Sequence, residues 1–327
     1  MVRNADGPTS THFDGSPMTL FEIASATITS IRIEATRSSV ALAFIGIIVA
    51  VCCLATGGIF VKLSALDPIA TGAWRIGLAL PIAYAWQALE RRRDHAPEHA
   101  RDARQILLLW LAGACLGLDL ALWNVSFHYT TVANANLLAN LVPFVVVPVA
   151  WLVYRETISR LFVAGFAIAL CGVTILLSPK LGASSGALFG DALALMTALF
   201  YGSYLLLVSG LRRTISSGRI MYLTSFGSLS ILVPLALLFE HRLFPVRLSD
   251  LWPLIGLALL AHLGGQGLLA ACLRYIPAGL SSVLVLMQPV VAALYAWMLF
   301  GESLGPVELL GVAVCLTGIY VAKLGQR

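Results

Sequence analysis

Residues 129–156 read YTTVANANLLANLVPFVVVPVAWLVYRE, and residues 275–302 read YIPAGLSSVLVLMQPVVAALYAWMLFGE. The two segments align without a gap at a constant offset of 146 residues, which places Pro143 on Pro289. A tyrosine, an Ala-Trp pair and a glutamate also coincide, and pairs of glycines follow at equal distances beyond both segments. Matches that persist at one offset over this length indicate that the chain contains two copies of one module.

The composition of the chain indicates that this module is a membrane structure. Of the 327 residues, 59% are apolar and 11% are charged, and the mean hydropathy is +0.89. A soluble domain carries about 25% charged residues. Apolar runs of about 20 residues predict ten membrane-spanning helices. The predicted spans cover approximately residues 41–63, 69–89, 106–127, 131–153, 158–178, 187–209, 218–239, 251–273, 278–299 and 304–323.

The distribution of cations gives these spans a direction. Of the 21 Lys and Arg residues, 16 fall in segments on the same side as the N-terminus, four fall on the opposite side, and Arg75 lies within the second span. Cytoplasmic segments of membrane proteins are enriched in cations. We therefore expect a multi-pass protein of the cytoplasmic (inner) membrane with both termini in the cytoplasm. This orientation accounts for the net charge of +5 without a nucleic-acid partner.

Each copy of the module holds five predicted helices. Because five is an odd number, the second copy enters the membrane in the opposite orientation, as in many transporters. The predicted fold class is an all-α integral membrane protein with ten transmembrane helices in two inverted five-helix repeats. The predicted segments are a flexible cytoplasmic N-terminal segment (1–38), a first repeat (39–180), a second repeat (181–324) and a cytoplasmic tail (325–327).

Both halves carry a proline in the fourth helix, a short loop with Arg-Glu or Gly-Glu, and a glycine-rich fifth helix. With these features, WNVSFHYTTVANANLLANLVPFVVVPVAWLVYRE and RYIPAGLSSVLVLMQPVVAALYAWMLFGE resemble the EamA family of the drug/metabolite transporter superfamily. The resemblance extends over about residues 40–324. It implies a central cavity lined mainly by helices 1, 3, 4, 6, 8 and 9, and export or exchange of small metabolites. Arg155 departs from the glycine that is usual in that loop.

Asp119 is the most informative polar residue, because it lies near the middle of the third span. Trp123 and Ser126 follow on the same helical face. A carboxyl group at this depth is protonated unless it meets a cation or water. It would serve a proton-coupled carrier or a site for a cationic substrate, and the alternative is a hydrogen bond between packed helices.

Other amides and a histidine lie at similar depth. In the eighth span, His262 and Gln266 are separated by four residues and lie beside several glycines. In the fourth span, Asn136 and Asn140 share one helical face, and Gln288 precedes the proline of the ninth span. We interpret all five as candidate substrate-binding residues, although interhelical hydrogen bonds would require the same residue types.

The candidate gating or coupling residues are Asp119, Arg75, Pro143 and Pro289. Arg75 lies inside the second span, where it would either extend to the outer surface or act as a charge at the outer mouth. The two prolines each remove a backbone donor and are expected to kink their helices.

Tyr201 and Tyr204 complete the candidate substrate-binding set, with Asp119 and Trp123. They are expected to form an aromatic wall of the cavity or to pack in the core. Glu156 and Glu302 precede the fifth and tenth spans, where a carboxylate offsets the positive end of a helix dipole, so we assign them a structural role.

The six cysteines form no CxxC motif, and no Cys or His cluster has metal-ligand spacing, so neither a metal nor a cofactor is expected.

These patterns favour a secondary transporter, acting as an exporter or exchanger by alternating access, over two alternatives. A membrane enzyme that modifies lipids would require a catalytic cluster, and the sequence contains no Walker loop, HExxH motif or nucleophile elbow. A non-transporting scaffold would not require inverted repeats. The expected partners are the lipid bilayer and a small metabolite such as an amino-acid derivative or an organic cation, with protons as a candidate coupling ion. The chain would act as a monomer or a homodimer.

Overall fold

The computed structural model describes residues 37–93, 103–180, 187–301 and 304–326, and this part of the chain is helical, with no β-strand. Residues 1–36, most of the predicted N-terminal segment, lie outside the described residues, as does Glu302. A π-helical stretch (Leu257–Gly267) joins two of the helices, and short 3-10 turns lie at Ser178–Lys180 and Leu248–Asp250. The helices are α1 (Arg37–Ala55), α2 (Gly57–Leu63), α3 (Pro68–Arg93), α4 (Ala103–Ser126), α5 (Val132–Ala139), α6 (Val142–Tyr154), α7 (Arg160–Leu177), α8 (Ala187–Leu211), α9 (Ser217–Phe239), α10 (Leu251–Gly256), α11 (Leu268–Cys272), α12 (Ala278–Val285), α13 (Gln288–Phe300) and α14 (Pro306–Gly325).

Nine stretches of the described chain are long and apolar enough to cross a membrane, and each corresponds to a predicted span. The remaining predicted span, 69–89, forms α3. This helix has 26 residues and is therefore about 39 Å long, which is enough to cross the hydrocarbon core. It is less apolar than the nine others because it contains Arg75 and ends in Arg91, Arg92 and Arg93.

The two prolines of the internal repeat break their helices instead of kinking them. A proline ring clashes with the carbonyl group four residues earlier. In agreement with this rule, α5 ends at Ala139, four residues before Pro143, and α12 ends at Val285, four residues before Pro289. Each proline is then the second residue of the next helix, where its missing N–H removes no helical hydrogen bond. The predicted kinks are therefore two-residue interruptions.

Glycines allow α7 and α14 to pack closely against each other. A Cβ atom added to Gly165 would lie 2.1 Å from the backbone nitrogen of Ala322, and one added to Gly318 would lie 2.1 Å from that of Ala169. Small residues allow helix backbones to approach this closely in membranes. Because later residues of α7 contact earlier residues of α14, the two helices run antiparallel.

We expect Gly165→Leu to destabilise the protein by about 3 kcal/mol, because the new side chain would overlap the backbone of α14. The matched control is Ala167→Leu on the exposed face of the same helix, which should change stability by no more than about 0.5 kcal/mol. Thermal unfolding of the purified variants in detergent measures the difference. Equal unfolding temperatures for the two variants would contradict the observed packing.

Candidate functional site

A cavity of about 80 Å³ lies where the broken helices meet. It is enclosed by α1 to α6, α8, the π-helical stretch, α12 and α13, so residues from both halves of the chain form its walls. Eight residues that the sequence analysis selected line it: Arg75, Asp119, Trp123, Asn136, Asn140, Tyr201, Gln266 and Gln288.

The cavity contains one buried group of each charge. Asp119 is 7% exposed and Arg75 is 5% exposed, and both side chains line the cavity. One Nη atom of Arg75 donates a hydrogen bond of 3.2 Å to the carbonyl oxygen of Ala261 in the π-helical stretch. The prediction that Arg75 extends to the outer surface is therefore wrong. Its side chain points inward, where the carbonyl group of Ala261 provides a hydrogen-bond acceptor that lipid lacks.

The amides of the fourth span lie at its interruption. Asn140 is the residue that follows α5, and both its backbone N–H and its side-chain Nδ2 donate to the carbonyl oxygen of Asn136, at 3.1 and 2.6 Å. The backbone and the side chain of Asn140 thus share one carbonyl acceptor at the C-terminal end of α5. Gln288 is the first residue of α13, after the equivalent interruption in the second half. Both interruptions therefore bring amides to the cavity wall.

The two tyrosines occupy different environments. Tyr201 lines the cavity, and its hydroxyl group donates to Oε1 of Gln266 at 3.4 Å. Tyr204 is buried behind it, with the two rings stacked at a centroid distance of 5.9 Å. Its hydroxyl group has no hydrogen-bond partner among the described residues. Tyr204 therefore supports the cavity wall without reaching the cavity.

His262, Pro143 and Pro289 do not line the cavity either. His262 is 0% exposed, and neither of its ring nitrogens has a hydrogen-bond partner in the described part of the chain. Each proline is the second residue of its helix, α6 or α13. The first residues of these helices, Val142 and Gln288, do line the cavity. Their position sets where the chain turns at the cavity.

The structure adds wall residues that the sequence analysis did not select. Thr197 lies one turn before Tyr201 on α8, and this helical spacing is a signal that could have identified it. Leu54 and Gly57 flank the interruption between α1 and α2, and Val285 ends α12. No motif marks these three residues.

Carboxylates connect the helices of the two halves at their ends. Glu156 accepts hydrogen bonds from the backbone N–H groups of Ala278 and Gly279, at 2.9 and 3.1 Å. The predicted structural role therefore holds, but the helix end that it stabilises is that of α12, not of the helix that follows Glu156. Burial raises the pKa of this carboxyl group above its ordinary value.

Two further glutamates make similar connections. Glu90, near the end of α3, accepts from the hydroxyl group of Ser217 and the backbone N–H of Gly218 at 2.9 and 2.7 Å. Glu240, after α9, accepts from the backbone N–H groups of Ile69 and Ala70 at 2.6 and 2.7 Å. The C-terminal end of α3 thus binds the N-terminal end of α9, and the residue after α9 binds the N-terminal end of α3.

No group of three or more His, Cys, Asp or Glu side chains among the described residues could hold a metal ion. The cavity chemistry that the structure describes comes from one carboxyl group, one guanidinium group, amides and aromatic rings.

Comparison with known proteins identifies similar chains. The profile of the EamA-like transporter family matches residues 40–178 and 188–324. An uncharacterized transporter from Archaeoglobus fulgidus is 24% identical over 62% of this chain and 63% of its own length. A probable amino-acid metabolite efflux pump from Salmonella typhimurium is 26% identical over 54% of this chain and 62% of its own length. The matches therefore span less than two thirds of these relatives.

A solved crystal structure has the same fold. It superposes with a TM-score of 0.72 over 89% of this chain and 99% of its own, at 18% sequence identity.

We expect Asp119 and Arg75 to pair electrostatically across the cavity, and such a pair should respond asymmetrically to substitution. Asp119→Asn leaves a buried guanidinium, which cannot release its proton in a protein, and should cost about 3 kcal/mol of stability. Arg75→Gln leaves a carboxyl group that can become neutral by taking up a proton, and should cost about 1 kcal/mol. The double variant should recover most of the loss caused by Asp119→Asn. Thermal unfolding in detergent tests this, and a double variant no more stable than Asp119→Asn would contradict the pairing.

Proposed function

This chain belongs to the EamA-like transporter family, and from that premise we propose that it is a secondary transporter that exports or exchanges a small zwitterionic metabolite by alternating access. The observation that supports the substrate class is that the cavity wall carries both an acidic residue, Asp119, and a basic residue, Arg75. The family assignment supports a membrane transporter of small metabolites. An amino acid or one of its derivatives has the required pair of opposite charges.

A zwitterion suits the cavity because it carries a group of opposite charge for each of the two side chains. Its ammonium group would face Asp119, and its carboxylate would face Arg75, so that no charge is left unpaired away from water. The apolar part of the substrate would contact Trp123, Leu120 and Val285. A plain organic cation is less suitable, since Arg75 would repel it. The named activity of the Salmonella relative, amino-acid metabolite efflux, agrees with this choice.

Two halves of opposite orientation provide one established basis for alternating access, and the helix packing supports this arrangement. Antiparallel packing of α7 and α14, which align at the offset of 146 residues, is what inverted copies would produce. The two matched family ranges, 40–178 and 188–324, agree with the proposed repeats 39–180 and 181–324. We therefore propose ten spans, with α3 as the tenth, and both termini in the cytoplasm of an inner-membrane protein.

The interhelical carboxylates would then act as closures on the two faces. In the proposed orientation, Glu90 and Glu156 lie on the cytoplasmic face, and Glu240 lies on the outer face. Each joins one repeat to the other through a pair of hydrogen bonds. Opening a face would break the bonds on that face alone. Charge-assisted bonds of this kind are strong enough to influence which face opens.

Proton coupling through Asp119 is part of the proposal. A proton and the ammonium group of a substrate would compete for the same carboxyl group, so that binding of one would favour release of the other. The chain would need no nucleotide and no metal for this exchange, and it would act as a monomer or a homodimer.

The substrate proposal is tested with purified protein and analogues blocked at one charge. A thermal-shift screen of the standard amino acids should yield at least one stabilising compound. Its N-acetyl and amide derivatives should each bind about tenfold more weakly or worse, because each leaves one buried charge unpaired. The zwitterion proposal would be contradicted if none of the standard amino acids stabilised the protein.

The same substrate is then followed in reconstituted vesicles across a range of pH. The double variant Asp119→Asn/Arg75→Gln should fold but lose or uncouple transport, whereas Asp191→Asn, at a residue whose carboxylate accepts from Thr130 away from the cavity, should transport normally. Wild-type transport by the double variant at every pH would refute the site.

The closures are tested with a single cysteine at Thr197 in a cysteine-free background, labelled from outside with a membrane-impermeant maleimide. Glu240→Gln should increase the labelling rate by up to about tenfold, because it weakens the outer closure by one charge-assisted bond. Glu90→Gln is the matched variant on the other face and should decrease the rate. A change in the same direction for both variants would contradict alternating closures.

A further inference from the structure

A second cavity lies on the outer flank of the helix bundle, away from the charged cavity. Its volume is about 350 Å³, and it runs as a groove between α3 and α9. Ala70, Ala73 and Gly77 form the side on α3, while Val233 and Leu237 belong to the side on α9. A Cβ atom added to Gly77 would meet no described atom within 4 Å, so this side of the groove is open.

One end of the groove is covered by two aromatic rings. The rings of Trp74 and Phe244 pack edge to face at a centroid distance of 6.3 Å. The indole N–H of Trp74 donates to the carbonyl oxygen of Leu243 at 2.8 Å, so its one polar group is already satisfied. The remaining lining side chains are apolar. The groove therefore offers no polar group to a hydrophilic ligand.

The residues around the groove indicate that it faces the hydrocarbon of the bilayer. In the loop that follows α9, Phe244, Val246 and Leu248 are 70%, 93% and 86% exposed, and they alternate with the exposed cations Arg242 and Arg247. Such a mixture of exposed apolar and cationic side chains is typical of a segment that lies at the boundary between headgroups and acyl chains. Below this boundary, the groove opens to hydrocarbon.

The length of the groove matches one leaflet. Its lining on α3 runs from Ala70 to Leu78, eight residue steps, which correspond to about 12 Å along the helix. Half of the hydrocarbon core of a bilayer is about 15 Å thick. A chain that enters from the interface at Phe244 would therefore reach close to the bilayer midplane.

We propose that this groove binds one acyl chain of a bilayer phospholipid. The site does not depend on the nature of the transported substrate and needs only that α3 and α9 face lipid, as in the proposed ten-span arrangement. The bound chain would contact both helices beside the hydrogen bonds of Glu240 to Ile69 and Ala70. It would therefore stabilise the contact between the two halves of the chain on the outer face.

Native mass spectrometry of the full chain with added dioleoylphosphatidylcholine tests the proposal. Gly77→Phe should fill the groove and lower the population carrying one tightly held lipid about tenfold, since the acyl chain loses its buried contacts. Ala167→Phe, on the exposed face of α7, is the matched control and should retain the lipid. Equal retention by wild type and Gly77→Phe would overturn the proposal. A shift from dimer to monomer in Gly77→Phe with unchanged lipid would also overturn it, because a second copy would then occupy the groove.

A second measurement uses the wild-type protein, so that it does not depend on the folding of a variant. Phosphatidylcholine with a diazirine in the middle of one acyl chain is activated by light, and the adducts are located by peptide mass spectrometry. The proposal expects adducts concentrated in residues 70–78 and 229–237. Adducts spread evenly over the lipid-facing helices would overturn it.

Discussion

Hydrocarbon offers no hydrogen bonds to a protein, and this constraint governs where the chain can interrupt its helices. Three spans are interrupted in the described part of the chain, between α1 and α2, between α5 and α6, and between α12 and α13. Short-range side-chain hydrogen bonds form beside two of these interruptions: the hydroxyl group of Thr56 donates to the carbonyl of Cys53, and Nδ2 of Asn140 donates to that of Asn136. All three interruptions have neighbours in the cavity wall, so irregular backbone is confined to the protein interior.

The scaffold is more symmetric than the site that it encloses. Gly165 and Gly311, at equivalent positions, both press against the backbone of the opposite helix. In the cavity, by contrast, Asn140 is equivalent to Leu286 at the offset of 146 residues. A duplicated frame needs equal packing surfaces, whereas recognition of an asymmetric molecule needs different groups on its two sides. Both described intramembrane charges of the cavity come from the first half.

Most of the fold could be predicted from the sequence because hydrophobic length is a local property. The apolar runs located the spans, and the proline spacing located two interruptions, although not their extent. The direction of Arg75 could not be predicted, since it depends on the distant carbonyl group of Ala261. The same limit applies to Glu156, which stabilises a helix more than 120 residues away. His262 lies at the expected depth, but its ring is buried behind the cavity wall. It belongs to the π-helical stretch, and no sequence pattern predicted that stretch.

The hydrogen bonds of the closures are present on both faces in this structure. Their strength limits how readily either face can open in the proposed transport cycle. A hydrogen bond to a charged group contributes about 1.5–3 kcal/mol. A face held by two glutamates would therefore rarely open if nothing replaced the lost bonds. Water can replace them at an opened face, which reduces the net cost to a level that substrate binding can offset. The substrate can shift the equilibrium between the two open forms only if it binds them with different affinities. A ligand with equal affinity for both forms would leave that equilibrium unchanged. The cavity provides such a difference, because Arg75 in the first half donates to the carbonyl oxygen of Ala261 in the second half, and the two halves would move relative to one another as a face opens.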